Sequence, residues 1–200
     1  MLRVVNLEEI QNLLLDVSTL TDLHEQRDPD YIPEVKSWLE KFETVLDNNR
    51  MPVMGTIAAY RGLLISAEQG IIPTGVEIHG RVTKRKIQNG AASLLIRLTS
   101  DIVSKAILGD QERIRDAERM TRQLVSIANA KGIISDIPNG DDSADVLNSI
   151  WKAMTDDQDL SAGTINVAGL VGPFDALILL DRIIASDIQM IKQPRGETSS

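Results

Sequence analysis

The chain has 200 residues with a formal charge of −8; 42% are hydrophobic and 3% aromatic, and there is no cysteine. This is enough chain for one good hydrophobic core, or for two small lobes. It excludes a disulfide scaffold, a thiolate metal site and a cysteine nucleophile. The charge is uneven. Residues 81–131 carry 11 Lys/Arg against 5 Asp/Glu, whereas the remainder carries 10 against 24. An acidic protein with a basic middle segment calls for internal charge pairing or an anionic partner.

The N-terminal residues lack a long apolar core, so a secretory signal is not expected. Asn6 and Glu9 have capping-box spacing. Ile10, Leu13, Leu14, Val17 and Leu20 then recur at helical period, so a first helix is predicted to about His24. Asp28-Pro29-Asp30 breaks it. Pro33 suits the first turn of a second helix, whose face is Val35, Trp38, Leu39, Phe42 and Leu46. Asp47-Asn48-Asn49 ends that helix. A third opens at Pro52, carries Val53, Ile57, Tyr60, Leu64 and Ala67, and closes at Gly70 in a left-handed cap. Residues 71–80 read as a loop, with Val76 and Ile78 spaced as in a brief strand.

The basic segment is the longest helical stretch. Ile87, Ala91, Leu94, Leu95, Leu98, Ile102 and Ala106 form one face; Ile114, Ala117, Thr121, Leu124 and Ala128 resume it. Between them stands Gly109-Asp110. Either Gly109 ends one helix and Asp110 caps the next, or a single helix tolerates the glycine at ~1 kcal/mol. The break is the preferred reading. Gly132 closes the segment. Pro138-Asn139-Gly140 marks a turn, and Asp142 or Ser143 caps a short helix with Leu147, Ile150, Trp151 and Met154. Residues 156–172, with three glycines, read as irregular. Pro173 starts a last helix with Leu177, Leu180, Ile184, Ile188 and Ile191 as its face. No apolar run approaches the ~18 residues of a membrane span. The expected fold is an all-α single-domain bundle of about seven helices over 1–192, with a disordered tail at 193–200.

No motif settles an activity. His24 and His79 belong to no metal-binding pair and read as surface or structural residues. Asp141-Asp142-Ser143-Ala144-Asp145 is similar to the aspartate-rich run with which isoprenoid synthases hold Mg²⁺. At a helix start, however, acids favour the dipole in any case. Asp157, Asp159 and Ser161 alternate like calcium-loop ligands, but Ala162 and Ala168 occupy the positions that need Gly and Glu. No cofactor, metal site or catalytic residue is assigned, and the first reading is non-enzymatic; a small helical enzyme using the 141–145 carboxylates with Mg²⁺ stands as a third reading.

Arg81, Lys84, Arg85 and Lys86 are the densest basic cluster, and they sit at the wrong end of the helix dipole. Arg115, Arg119 and Arg122 share a helix face, with Glu112, Asp116 and Glu118 spaced to pair with them. These seven residues are the candidate contacts for nucleic acid or another anionic partner. The apolar triplets Leu13-Leu14-Leu15 and Ile178-Leu179-Leu180 place side chains on more than one helix face. The first functional expectation is thus a cytoplasmic interaction or assembly subunit, forming a homo-oligomer or binding a protein partner, with no membrane. The alternative is a nucleic-acid-binding packaging or regulatory protein using residues 81–131.

Overall fold

A computed structural model describes residues 1–78, 80–134 and 143–192, with backbone alone at 143 and 187–192. Among these residues the chain is all-α, with eight helices and no strand. The Val76/Ile78 alternation is therefore not a strand. The expected turn at 138–140, His79, Asp141, Asp142, the tail at 193–200, and the side chains of Ile188 and Ile191 lie outside what is described. The chain forms two compact units, Met1–Gly109 and Asp110–Ser200.

In the first unit, α1 (Val4–Leu15) and α2 (Val17–Glu25) replace the single predicted helix. They meet at Asp16, whose backbone stays right-handed at φ −60°, ψ −16°. The interruption coincides with a tertiary hydrogen bond: the indole Nε1 of buried Trp38 donates to the Leu13 carbonyl at 2.6 Å, and a side chain can thus insert into the helical ladder. The predicted capping box does not form, because α1 starts at Val4, ahead of Asn6. Asn6 Nδ2 instead donates to the Asn49 side chain. Helix α3 (Tyr31–Asn48) is the centre of this unit and packs on α1, α2 and α4 (Met54–Glu68). Its entire predicted face is buried, and Trp38 and Phe42 meet edge-on with centroids 4.8 Å apart.

Three helices of this unit end in a Schellman motif, in which the two N–H groups beyond the C-cap close on carbonyls of the last turn. At α4 the residue in the left-handed conformation is Gly70, as expected from sequence. At α2 and α3 it is an arginine: Arg27 at φ 56° and Arg50 at φ 52°. Both helix ends fall where Asp28-Pro29-Asp30 and Asp47-Asn48-Asn49 placed them; what the sequence did not mark is that the left-handed residues are arginines. These stops cost about 1–2 kcal/mol each for a residue with a Cβ.

Helix α5 runs from Lys84 to Ala130 without interruption. The expected break at Gly109-Asp110 does not occur, although the two units divide at that point. The reason lies in the apolar period. Val103, Ile107, Ile114, Ala117 and Thr121 keep a buried stripe in phase across the glycine. Gly109 lies on the exposed side, where a Cβ would touch nothing. Asp110 stays helical and pairs with Arg113 at 2.7 Å.

The predicted α5 face needs a second correction. After Leu95 and Ile96 the next buried positions are Thr99, Val103 and Ile107, while Ile102 is half-buried and Ala106 exposed. Aliphatic residues at 94–96, 98, 102 and 103 fill two adjacent faces, so periodicity alone selects the wrong one. The structure buries a threonine as a result. Thr99 is fully buried, and among the described residues its hydroxyl has no hydrogen-bond partner. Thr121, equally buried, donates to the Ala117 carbonyl at 2.8 Å. Thr99→Val should therefore raise stability by about 1 kcal/mol in urea denaturation, because an unsatisfied buried hydroxyl carries a desolvation penalty. Thr121→Val, which deletes a satisfied hydroxyl, should not stabilise. Equal effects at the two sites would refute this assignment.

In the second unit, α6 (Ser143–Asp156), α7 (Ser161–Val171) and α8 (Pro173–Lys192) pack on one another. Helix α7 occupies most of the stretch read as irregular. Gly163 and Gly169 are tolerated inside it, and Gly163 has a packing reason. A Cβ there would lie 2.6 Å from Leu124 Cδ2 of α5, so the glycine lets the two helices approach closely. Pro173 opens α8, as expected. Among the described residues no helix is long and apolar enough to cross a membrane.

Candidate anion-binding cleft

The basic cluster opens α5. Thr83 is the cap, its Oγ1 accepting from the Lys86 N–H at 3.3 Å and its carbonyl from the Ile87 N–H at 3.1 Å. The preceding loop is held against the helix where Val76 meets Gly90. A Cβ on Gly90 would come within 2.8 Å of Val76 Cγ1. This fixes the side from which the loop enters α5.

Arg85 then reaches the end of α2. Its Nη2 donates to the Arg27 carbonyl at 2.8 Å. That carbonyl belongs to the left-handed residue that terminates α2, so the guanidinium sits at the negative end of the α2 dipole. The contact draws Arg27 and His24 beside the basic cluster. A cleft of about 600 Å³ results, lined by His24, Glu25, Arg27, Thr83, Arg85, Lys86 and Asn89. Three permanent cations and a histidine face one carboxylate. On its other side the His24 ring lies 5.0 Å from that of Tyr31. Burial pushes the Tyr31 hydroxyl above its usual range, and a hydrogen bond with Ser93 partly offsets this.

The structure divides the seven candidate residues. Arg85 and Lys86 line the cleft; Arg81 and Lys84 are exposed beside it in sequence but do not line it. Arg115, Arg119 and Arg122 belong to the second unit. Two of the three expected pairings there form: Arg119 with Asp116 at 3.0 Å and Arg122 with Glu118 at 2.7 Å. The Glu112–Arg115 pairing is not found among the described residues. Glu25, Arg27, Thr83 and Asn89 are cleft residues that the sequence did not single out, and His24, read there as a surface or structural residue, joins them. The missed signal was Arg27, a cation just past a predicted helix end.

The calcium-like spacing at 157–161 has a structural explanation. Asp157 Oδ1 accepts from the Asp159 N–H at 2.9 Å and the Leu160 N–H at 3.2 Å, which shapes the entry to α7. Lys131 Nζ bridges Asp157 at 2.8 Å and Asp159 at 2.6 Å. An ammonium thus occupies the position that a cation would take. Among the described residues no group of three or more His, Asp or Glu is arranged to hold a metal ion.

The hydrogen bond with Lys131 holds the Asp157 carboxyl below its ordinary 3.8. The bonds with Asp157 and then Asp159 hold the Lys131 ammonium above its ordinary 10.5. The Asp157 contribution to stability is present above 3.8 and is lost as pH falls through the lower native value. The Lys131 contribution is present below 10.5 and is lost as pH rises through the higher native value. The Tm difference between wild type and Lys131→Met should therefore be flat across neutral pH and shrink at both extremes. A difference unchanged in strong acid would show that the clamp does not stabilise the fold.

No protein-family model matches the chain, and neither the curated proteins nor the solved structures contain a match to it. The class that the fold defines is an all-α protein of two helical units. Among the described residues, Arg27, Arg85, Lys86 and His24 meet at the cleft at the start of α5.

Proposed function

We propose that this protein is a non-enzymatic interaction subunit whose cleft at the start of α5 receives an anionic surface of a protein partner. The observation that supports this is the convergence of Arg27, Arg85 and Lys86 with His24 around one cleft holding a single acid, Glu25. A chain of net charge −8 concentrates cations there at a cost in self-repulsion, and an acidic partner relieves it. Exposed aliphatic side chains on both units, such as Leu15 (71%) and Ile165 (64%), add apolar contact area of the kind interfaces use.

The second reading is nucleic-acid binding. The same cations could contact phosphates without reading sequence. Its specific support is that Arg27, from outside the basic segment, joins the cluster. Against it, residues 81–131 contain no aromatic side chain on which bases could stack.

Fluorescence anisotropy with labelled single- and double-stranded nucleic acid, at low and physiological salt, separates the two. A protein-directed cleft gives no saturable binding at physiological salt. Saturable, salt-sensitive binding that vanishes when Lys84, Arg85 and Lys86 are changed to Glu would replace the first reading with the second.

A further inference from the structure

The first unit carries a counterpart to its own basic surface. A groove of about 380 Å³ between α2 and α3 is lined by Asp16, Asp30 and Glu34 with one lysine, Lys41, over the side chains of Leu20, Leu23 and Trp38. Its three acids are exposed, and Leu15, which adjoins Asp16, is 71% exposed. The basic surface has the inverse composition. Arg81, Lys84, Arg85 and Lys86 are exposed, and Val82 among them is 53% exposed. Each patch therefore joins one sign of charge to an uncovered aliphatic side chain. Both adjoin the α2–α3 corner, with Leu23 in the acidic groove and His24 in the basic cleft.

We infer that the anionic partner is a second copy of this chain, with the acidic α2–α3 groove of each copy seated on the basic start of α5 in the other. This rests on the reading of the cleft given above and names its occupant. Opposite charges set the orientation and exclude like-to-like contact, while Leu15, Val82 and half-buried Leu23 supply the apolar area that charge pairs alone lack. A two-fold arrangement uses both patches of both copies and closes at a dimer.

Sedimentation velocity of the full chain tests this at about 0.05 M and about 0.5 M salt, which brackets weak and strong screening. Wild type should be dimeric at low salt and shift toward monomer at high salt. Glu34→Lys alone and Lys84→Glu alone should each be monomeric, with unchanged helical circular dichroism. An equimolar mixture of the two should restore the dimer, because in the mixed pair one contact is wild type and the other has its charges exchanged. A wild type that is monomeric at low salt overturns the inference. So does an association that survives both reversals, or one that the mixture fails to restore. A monomer that still captures nucleic acid in the anisotropy experiment would overturn this inference and the protein-partner reading together. A monomer that captures none would overturn the second-copy assignment alone.

Discussion

Trp38→Ala should lower stability by about 3–5 kcal/mol in urea denaturation, the largest single effect expected in this protein. Trp38 is 2% exposed at the centre of α3 and packs edge-on against Phe42. Its removal leaves a cavity against a helix that touches α1, α2 and α4. It also leaves the Leu13 carbonyl without its 2.6 Å indole donor near the α1–α2 junction. Trp38→Phe separates the two contributions. It retains most of the apolar volume and loses the hydrogen bond, so its cost should be about 1–2 kcal/mol. Equal costs for the two variants would mean that the indole N–H, not packing, dominates. A Trp38→Ala cost under about 1 kcal/mol would mean that the site collapses without a cavity.

Arg113→Met should cost about 2 kcal/mol. Arg113 Nη1 donates to the Leu170 carbonyl at 2.7 Å, and Nη2 pairs with Asp110 at 2.7 Å. Leu170 lies in the last turn of α7, where carbonyls have no intrahelical donor. A guanidinium there satisfies one of them and complements the dipole. Hydrogen bonds to charged groups contribute about 1.5–3 kcal/mol, and this side chain is only 18% exposed, so screening is partial. Lysine presents a point charge rather than a planar fork, so Arg113→Lys should recover less than half of the loss. Chemical denaturation of the three proteins checks the order. A Met variant within about 0.5 kcal/mol of wild type would show that the bridge from α5 to α7 adds nothing.

The same two sites mark where local sequence is informative. The α3 face was legible because Val35, Trp38, Leu39, Phe42 and Leu46 follow one period, and all are buried. What Trp38 does to α1 was not legible, since its indole acts on a carbonyl 25 residues away. The stretch at 156–172 was misread because three glycines argue against a helix in isolation. Packing against α5, α6 and α8 overrides that propensity, and Gly163 is the residue that permits the approach. Gly109-Asp110 was misread in the opposite direction. Strong local stop and start signals are outweighed by an apolar stripe that stays in phase across them.

The candidate site shows the same division. Arg85 and Lys86 could be read from charge density alone. Arg27 and His24 could not, because the Arg85 side chain recruits the end of α2 from 58 residues away.

By itself, then, the sequence determined the all-α class, the buried face of α3, three of the five positions read for α4 (Ile57, Leu64 and Ala67), the helix ends before 28, 50, Gly70 and Gly132, the basic start of α5, and two of the Arg–acid pairs on that helix. Each depends on residues within a turn or two of one another, where helical period and dipole act directly. Only the tertiary structure decided the interruption at Asp16, the existence of α7, the continuity of α5, the burial of Thr99 and the cleft. Each of these depends on contacts between residues distant in the chain, whose packing and hydrogen-bond energies exceed the ~1 kcal/mol preferences that local sequence expresses.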